Sequence, residues 1–93
     1  MGYYRIPEEI LEETLRYFHE PNEAVRGRSL LMYLRKKGIG KVRTGRTASR
    51  WIVAMINEGL LDVDELFPDL WVCLSKYGAE IRTNAYGIDH WDV

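Results

Sequence analysis

With 93 residues, 46% of them hydrophobic and 29% charged, the chain is sized for one small globular domain and excludes an intrinsically disordered polyelectrolyte. No apolar run approaches the ~18 residues that span a bilayer, and no signal peptide is expected, so a cytoplasmic protein with no membrane partner is predicted. The net charge of −1 conceals a strong segregation: residues 1–25 carry −4, residues 26–50 carry +9 and residues 51–93 carry −6.

In chain order, residues 1–5 read as a loose end. Ile6-Pro7-Glu8-Glu9 predicts a helix start, with proline at the first helical position and glutamates at the positive end of the helix dipole. Ile10, Leu11, Leu15 and Phe18 recur at helical spacing, and Pro21 closes the element. Residues 22–28 are ambiguous, because Asn22 suits a cap whereas Gly27 weakens a helix through it. Ser29 is the preferred cap of a second helix over about residues 30–37. Its core face is Leu30, Leu31 and Leu34, its last turn holds Lys36 and Lys37, and Gly38 stops it.

Residues 39–45 form a basic, glycine-containing connection. A third helix follows over about residues 46–58, capped by Thr44 or Thr47 and stopped by Gly59. Ala48, Trp51, Ile52, Met55 and Ile56 make one apolar face, and Arg46, Arg50, Val53 and Asn57 lie opposite. Residues 60–63 and 70–74 are strand candidates that pair as a hairpin around an acidic loop containing Pro68. Ser75 caps a short fourth helix over about residues 76–82, and the tail 83–93 fits no regular element. One domain, 1–93, with its core at about 7–82, accounts for the chain.

Nine of the thirteen basic residues fall between Arg26 and Arg50, and no acid interrupts them. A surface tuned only for solubility mixes its signs, so this run points to a polyanion. A docking face for an acidic protein and a merely solvated face are the competing readings. Single-stranded nucleic acid or RNA is weaker, because Tyr33 is the one aromatic in the segment.

Other chemistry finds no support. Gly38-Ile39-Gly40-Lys41-Val42 lacks the glycine, the hydroxyl residue and the preceding strand of a phosphate loop. His19 and His90 have no ligand-spaced partners, and no nucleophile–base–orienter set exists. The expectation is therefore no enzyme, no cofactor and no metal. Cys73, the single cysteine, is expected to be a small buried hydrophobe, with an intermolecular disulfide the alternative.

Two segments carry a resemblance. Arg50-Trp51-Ile52-Val53-Ala54-Met55-Ile56-Asn57-Glu58-Gly59-Leu60-Leu61 is similar to the end of a recognition helix that stops at a Glu-Gly-Leu turn. Leu74-Ser75-Lys76-Tyr77-Gly78 resembles the Leu-Thr-x-x-Gly motif at the exit of a wing. Together they resemble the winged helix-turn-helix domains of MarR and PadR-type transcription regulators. The resemblance implies a mainly α fold with a small β-hairpin: a three-helix core, a two-stranded wing and a C-terminal helix.

It also implies a sequence-specific double-stranded DNA-binding regulator that reads the major groove with the third helix. Arg46, Thr47, Ser49, Arg50, Val53 and Asn57 would then face the bases, and Lys41, Arg43, Thr44, Arg28, Lys36 and Lys37 the phosphates. A homodimer on two half-sites is a further implication, and the shortness of the fourth helix leaves a monomer as the alternative. Two departures stand out. The turn between the second and third helices exceeds the ~3–4 residues of a simple helix-turn-helix. The wing is acidic, at Asp62, Asp64, Glu65 and Asp69, so it should point away from DNA or meet a protein partner. The alternative function is a winged-helix protein-interaction module that uses the basic face or the acidic wing.

Overall fold

The computed structural model describes residues 6–38, 45–64, 69–89 and 91, with the backbone alone for residues 45–48. The elements run α1 (Glu8–Arg16), β1 (Ala24–Arg26), α2 (Gly27–Lys37), α3 (Gly45–Asn57), β2 (Leu61–Val63), β3 (Trp71–Leu74) and α4 (Lys76–Asn84). The strands form one antiparallel sheet in the order β1-β3-β2. Among the described residues the result is a small α/β domain of four helices and three strands.

The predicted hairpin exists, but the sheet has a third strand that the local pattern does not announce. β1 lies inside the ambiguous residues 22–28 and pairs Ala24 with Cys73, Val25 with Val72 and Arg26 with Trp71. Three residues are too few to show an alternation, and only Val25 of the three is buried. The neighbouring strand, not local preference, makes this segment extended.

α2 begins earlier than predicted. Ser29 lies inside the helix, and Arg26 takes the cap position without a side-chain bond. The Gly27 N–H donates to the carbonyl of Leu70 at 2.8 Å. A Cβ on Gly27 would approach the Leu70 side chain to 3.1 Å, so the smallest residue permits this close approach. At the other end Gly38 adopts φ 63°, the left-handed conformation expected of a helix stop. Pro7 caps α1 from outside instead of entering it, because its ψ of 137° is not helical. α1 ends well before Pro21, and Phe18 reaches the core from the segment beyond the helix.

The core joins Ile10, Leu15 and Phe18 to Leu30 and Leu34 of α2, Ile52 and Met55 of α3, and Leu61, Val72 and Leu74 of the sheet. Full burial of such a side chain contributes about 1.5–3 kcal/mol each. The two segments that carry the family resemblance meet directly. Ser75 caps α4 by accepting from the Gly78 N–H at 2.8 Å, and its hydroxyl donates to the Gly59 carbonyl. The Ser75 N–H donates to the Leu60 carbonyl, and a Cβ on Gly78 would collide with that same oxygen. The turn after α3 and the start of α4 are thus one packed unit.

The tail also finds its place as far as it is described. α4 extends to Asn84, two residues past the predicted end, and Gly87 (φ 66°) turns the chain so that Ile88 is buried. Arg82 is 3% exposed and holds this turn. Its Nε donates to the Leu15 carbonyl at 3.1 Å and its Nη1 to the Ile88 carbonyl at 2.8 Å, while its guanidinium stacks 3.6 Å from the Trp91 ring. Among the described residues, no helix is long and apolar enough to cross a membrane.

Candidate nucleic-acid interface

α3 is amphipathic in the register that its sequence predicts. Ile52 and Met55 are buried, Trp51 and Ile56 pack on the core as half-buried residues, and Ser49, Arg50, Val53 and Asn57 are exposed. Val53 keeps 48% of its surface in water, so it belongs to the outer stripe and not to the core rim. Arg46 and Thr47 belong to α3, but their side chains lie outside the described residues, as does Ala48 of the apolar face. Lys41, Arg43 and Thr44 lie outside them altogether, as do Gly40 and Val42 of the glycine-containing connection.

α2 packs against α3 and leaves a shallow groove of about 480 Å³ between them. Arg28, Met32 and Arg35 border it from α2, Ser49 and Ile52 border it from α3, and Leu70 lines it as well. These three α2 residues follow the spacing that places side chains one above another on a helix. The fold therefore brings Arg28 and Ser49 of α3 to one groove. Arg35, absent from the predicted contact set, belongs there by its geometry. The signal that could have found it is the seven-residue spacing from Arg28.

Lys36 and Lys37 do not join that groove. Lys36 borders a second hollow with Tyr17, Ser29 and Tyr33, on the side of α2 toward α1. The Lys37 Nζ lies 5.5 Å above the Tyr33 ring. The Tyr33 hydroxyl donates to the Glu13 carboxylate at 2.6 Å, and its ring packs 4.7 Å from that of Tyr17. Burial and the Glu13 carboxylate push the Tyr33 phenol up to about 12. Arg28 at the start of α2 thus borders the groove, Lys36 and Lys37 lie on the aromatic side, and Arg35 in the last turn borders both hollows.

The hairpin acids are not uniformly turned away from the basic face. Asp62 is exposed on β2, opposite Cys73. Asp69, however, sits in a hollow with Arg26, Arg28 and Leu70. Its Oδ2 is 3.7 Å from Arg26 Nη2, and the Arg26 guanidinium lies 5.4 Å over the Trp71 ring. Glu65 lies outside the described residues. Cys73 is half-buried, its Sγ placed 3.8 Å from the Asp62 carbonyl. Desolvation, reinforced by Asp62 and Asp64, raises its pKa and disfavours the thiolate.

The chemistry of this face is that of hydrogen-bond donors, positive charge and a few exposed apolar side chains. Such donors recognise phosphates and base edges without bond making. Among the described residues, no group of His, Cys, Asp and Glu could hold a metal ion. Comparison with known proteins finds no matching family model, no matching curated protein and no matching solved structure.

Proposed function

We propose that this domain binds double-stranded DNA as a winged-helix regulator, with α3 directed into the major groove. One observation carries the reading: Arg28 and Arg35 of α2 share a single groove with Ser49 of α3, the helix on which Arg50, Val53 and Asn57 are also exposed. On this reading Arg46 and Arg50 donate pairs of hydrogen bonds to guanine, Asn57 pairs with adenine and Val53 touches a thymine methyl. Arg28 and Arg35, with Lys41, Arg43 and Thr44 ahead of α3, hold phosphates. The order of helices, hairpin and final helix is compatible with the family resemblance, as is the contact between the Glu-Gly-Leu turn and the Leu-Ser-x-x-Gly segment.

The test is a fluorescence-anisotropy titration with duplex DNA, followed by selection of bound duplexes from a random library. Binding should fall steeply as salt rises, because each neutralised phosphate releases counterions. Arg50→Ala should weaken selected-site binding by about 1–3 kcal/mol and relax base preference. Absence of duplex binding at low salt would overturn the proposal. The second reading, a protein-docking module, draws on Met32 and Leu70, which stay 60% and 45% exposed on the groove. It predicts capture of an acidic polypeptide that survives loss of Arg46 and Arg50.

A further inference from the structure

The basic segment begins at Arg26, and this residue is stationed differently from those that follow. It ends β1 in register with Trp71, and the ring beneath its guanidinium holds the side chain along the sheet. Asp69 meets it at 3.7 Å, with the two side chains 47% and 63% exposed. Arg28 shares the same hollow, and the Gly27–Leu70 hydrogen bond ties that hollow to the start of α2. A carboxylate and two guanidiniums therefore stand at the rim of the groove to which the proposed function assigns phosphate contacts. An ion pair this exposed is weak and open to exchange. A phosphate approaching Arg28 competes for Arg26 and is repelled by Asp69.

We propose that Arg26 and Asp69 form an exchangeable pair that limits indiscriminate duplex binding. In the free protein Asp69 holds Arg26. On the duplex a backbone phosphate takes its place. The carboxylate left behind lowers affinity for every duplex, so that only one that also engages the α3 stripe is held tightly. Arg26 thereby becomes a further phosphate ligand, and the acidity of the hairpin gains a role on the DNA-facing side. This inference rests on the duplex-binding reading above.

The experiment uses a fluorescein-labelled duplex of about 24 base pairs and arbitrary sequence, titrated between about 50 and 200 mM salt. Four proteins are compared: the unaltered chain, Asp69→Asn, Arg26→Gln and the double variant. Asp69→Asn should bind several-fold tighter at the lowest salt with little change in log–log salt slope, because Arg26 contacts a phosphate in both proteins. Arg26→Gln should bind several-fold weaker. In the double variant most of the gain from Asp69→Asn should vanish, because the released guanidinium supplied it.

If Asp69→Asn binds like the unaltered chain, or if the double variant binds as tightly as Asp69→Asn, the exchange is overturned while duplex binding stands. If the unaltered chain shows no salt-sensitive duplex binding, both readings fall. Arg26→Lys provides a charge-preserving control that should keep the unaltered affinity, and equal melting temperatures establish that all variants are folded.

Discussion

Arginines on neighbouring helices are used in opposite ways. In the seam between α1 and α4, Arg82 is withdrawn from water, bonded to two carbonyls and covered by Trp91. On the face between α2 and α3, Arg28 and Arg35 stand exposed beside a groove with an apolar floor. A desolvated guanidinium with satisfied donors fixes the positions of the segments around it. One left in water adds little to folding and keeps its field for an incoming anion. The same residue type thus builds one half of the domain and equips the other, and the difference lies in what surrounds it.

That contrast can be broken most severely at Gly78. A methyl group there meets the Leu60 backbone oxygen, which no rotamer change relieves. Gly78→Ala should lose roughly 4 kcal/mol in denaturant unfolding, beyond the usual range for overpacking because the obstacle is main chain. Arg82→Ala comes next. It leaves the Leu15 and Ile88 carbonyls without their donor and should cost about 3 kcal/mol, measured the same way.

Arg35→Ala is the converse experiment. Its stability should stay within about 0.5 kcal/mol of the parent, while duplex affinity drops and the salt slope shrinks by about 0.9. A large loss of stability would show that Arg35 is structural and would erase the contrast.

The smallest effect is expected on the aromatic seam. The Tyr33 phenol is held protonated up to about 12, above its ordinary value of 10.0. A raised acid pKa favours the folded state below the unfolded value and loses that advantage as pH climbs through the folded one. The decline should therefore fall between about pH 10 and 12 and be smaller in Tyr33→Phe, where the raised phenols of Tyr17 and Tyr86 still contribute, as read by thermal melts at successive pH values.

Elements with internal periodicity are legible in the amino-acid sequence itself. The four helices, the β2–β3 pair and the Ser75 cap follow from the spacing of Leu, Ile and Met and from glycine and serine at the ends. What is not legible there depends on contact between distant segments. β1 exists because Val72 of β3 lies beside Val25. α2 starts at Gly27 because the Leu70 carbonyl receives its N–H.

The candidate face shows the same limit. Periodicity along α3 marks Arg50, Val53 and Asn57 as a stripe, and the spacing from Arg28 marks Arg35, but only packing shows that Arg35 meets Ser49 and that Lys36 and Lys37 lie beside Tyr33. Arg26 is visible as the first of the basic residues. Its pairing with Asp69 requires the fold, because the two are joined through the sheet and not through local sequence.

Cys73 gives the domain a timekeeper of its own. It occupies the middle strand, flanked by Ala24 on one side and Asp62 on the other, so it senses both edges of the sheet at once. Its thiol is the single one in the chain, and its neighbours disfavour the reactive anion while the sheet is closed. A disulfide reagent should therefore react faster with any state in which β1 or β2 has parted from β3 than with the closed sheet. The rate of that reaction, with and without duplex, would date the opening of the sheet without a probe having to be engineered in.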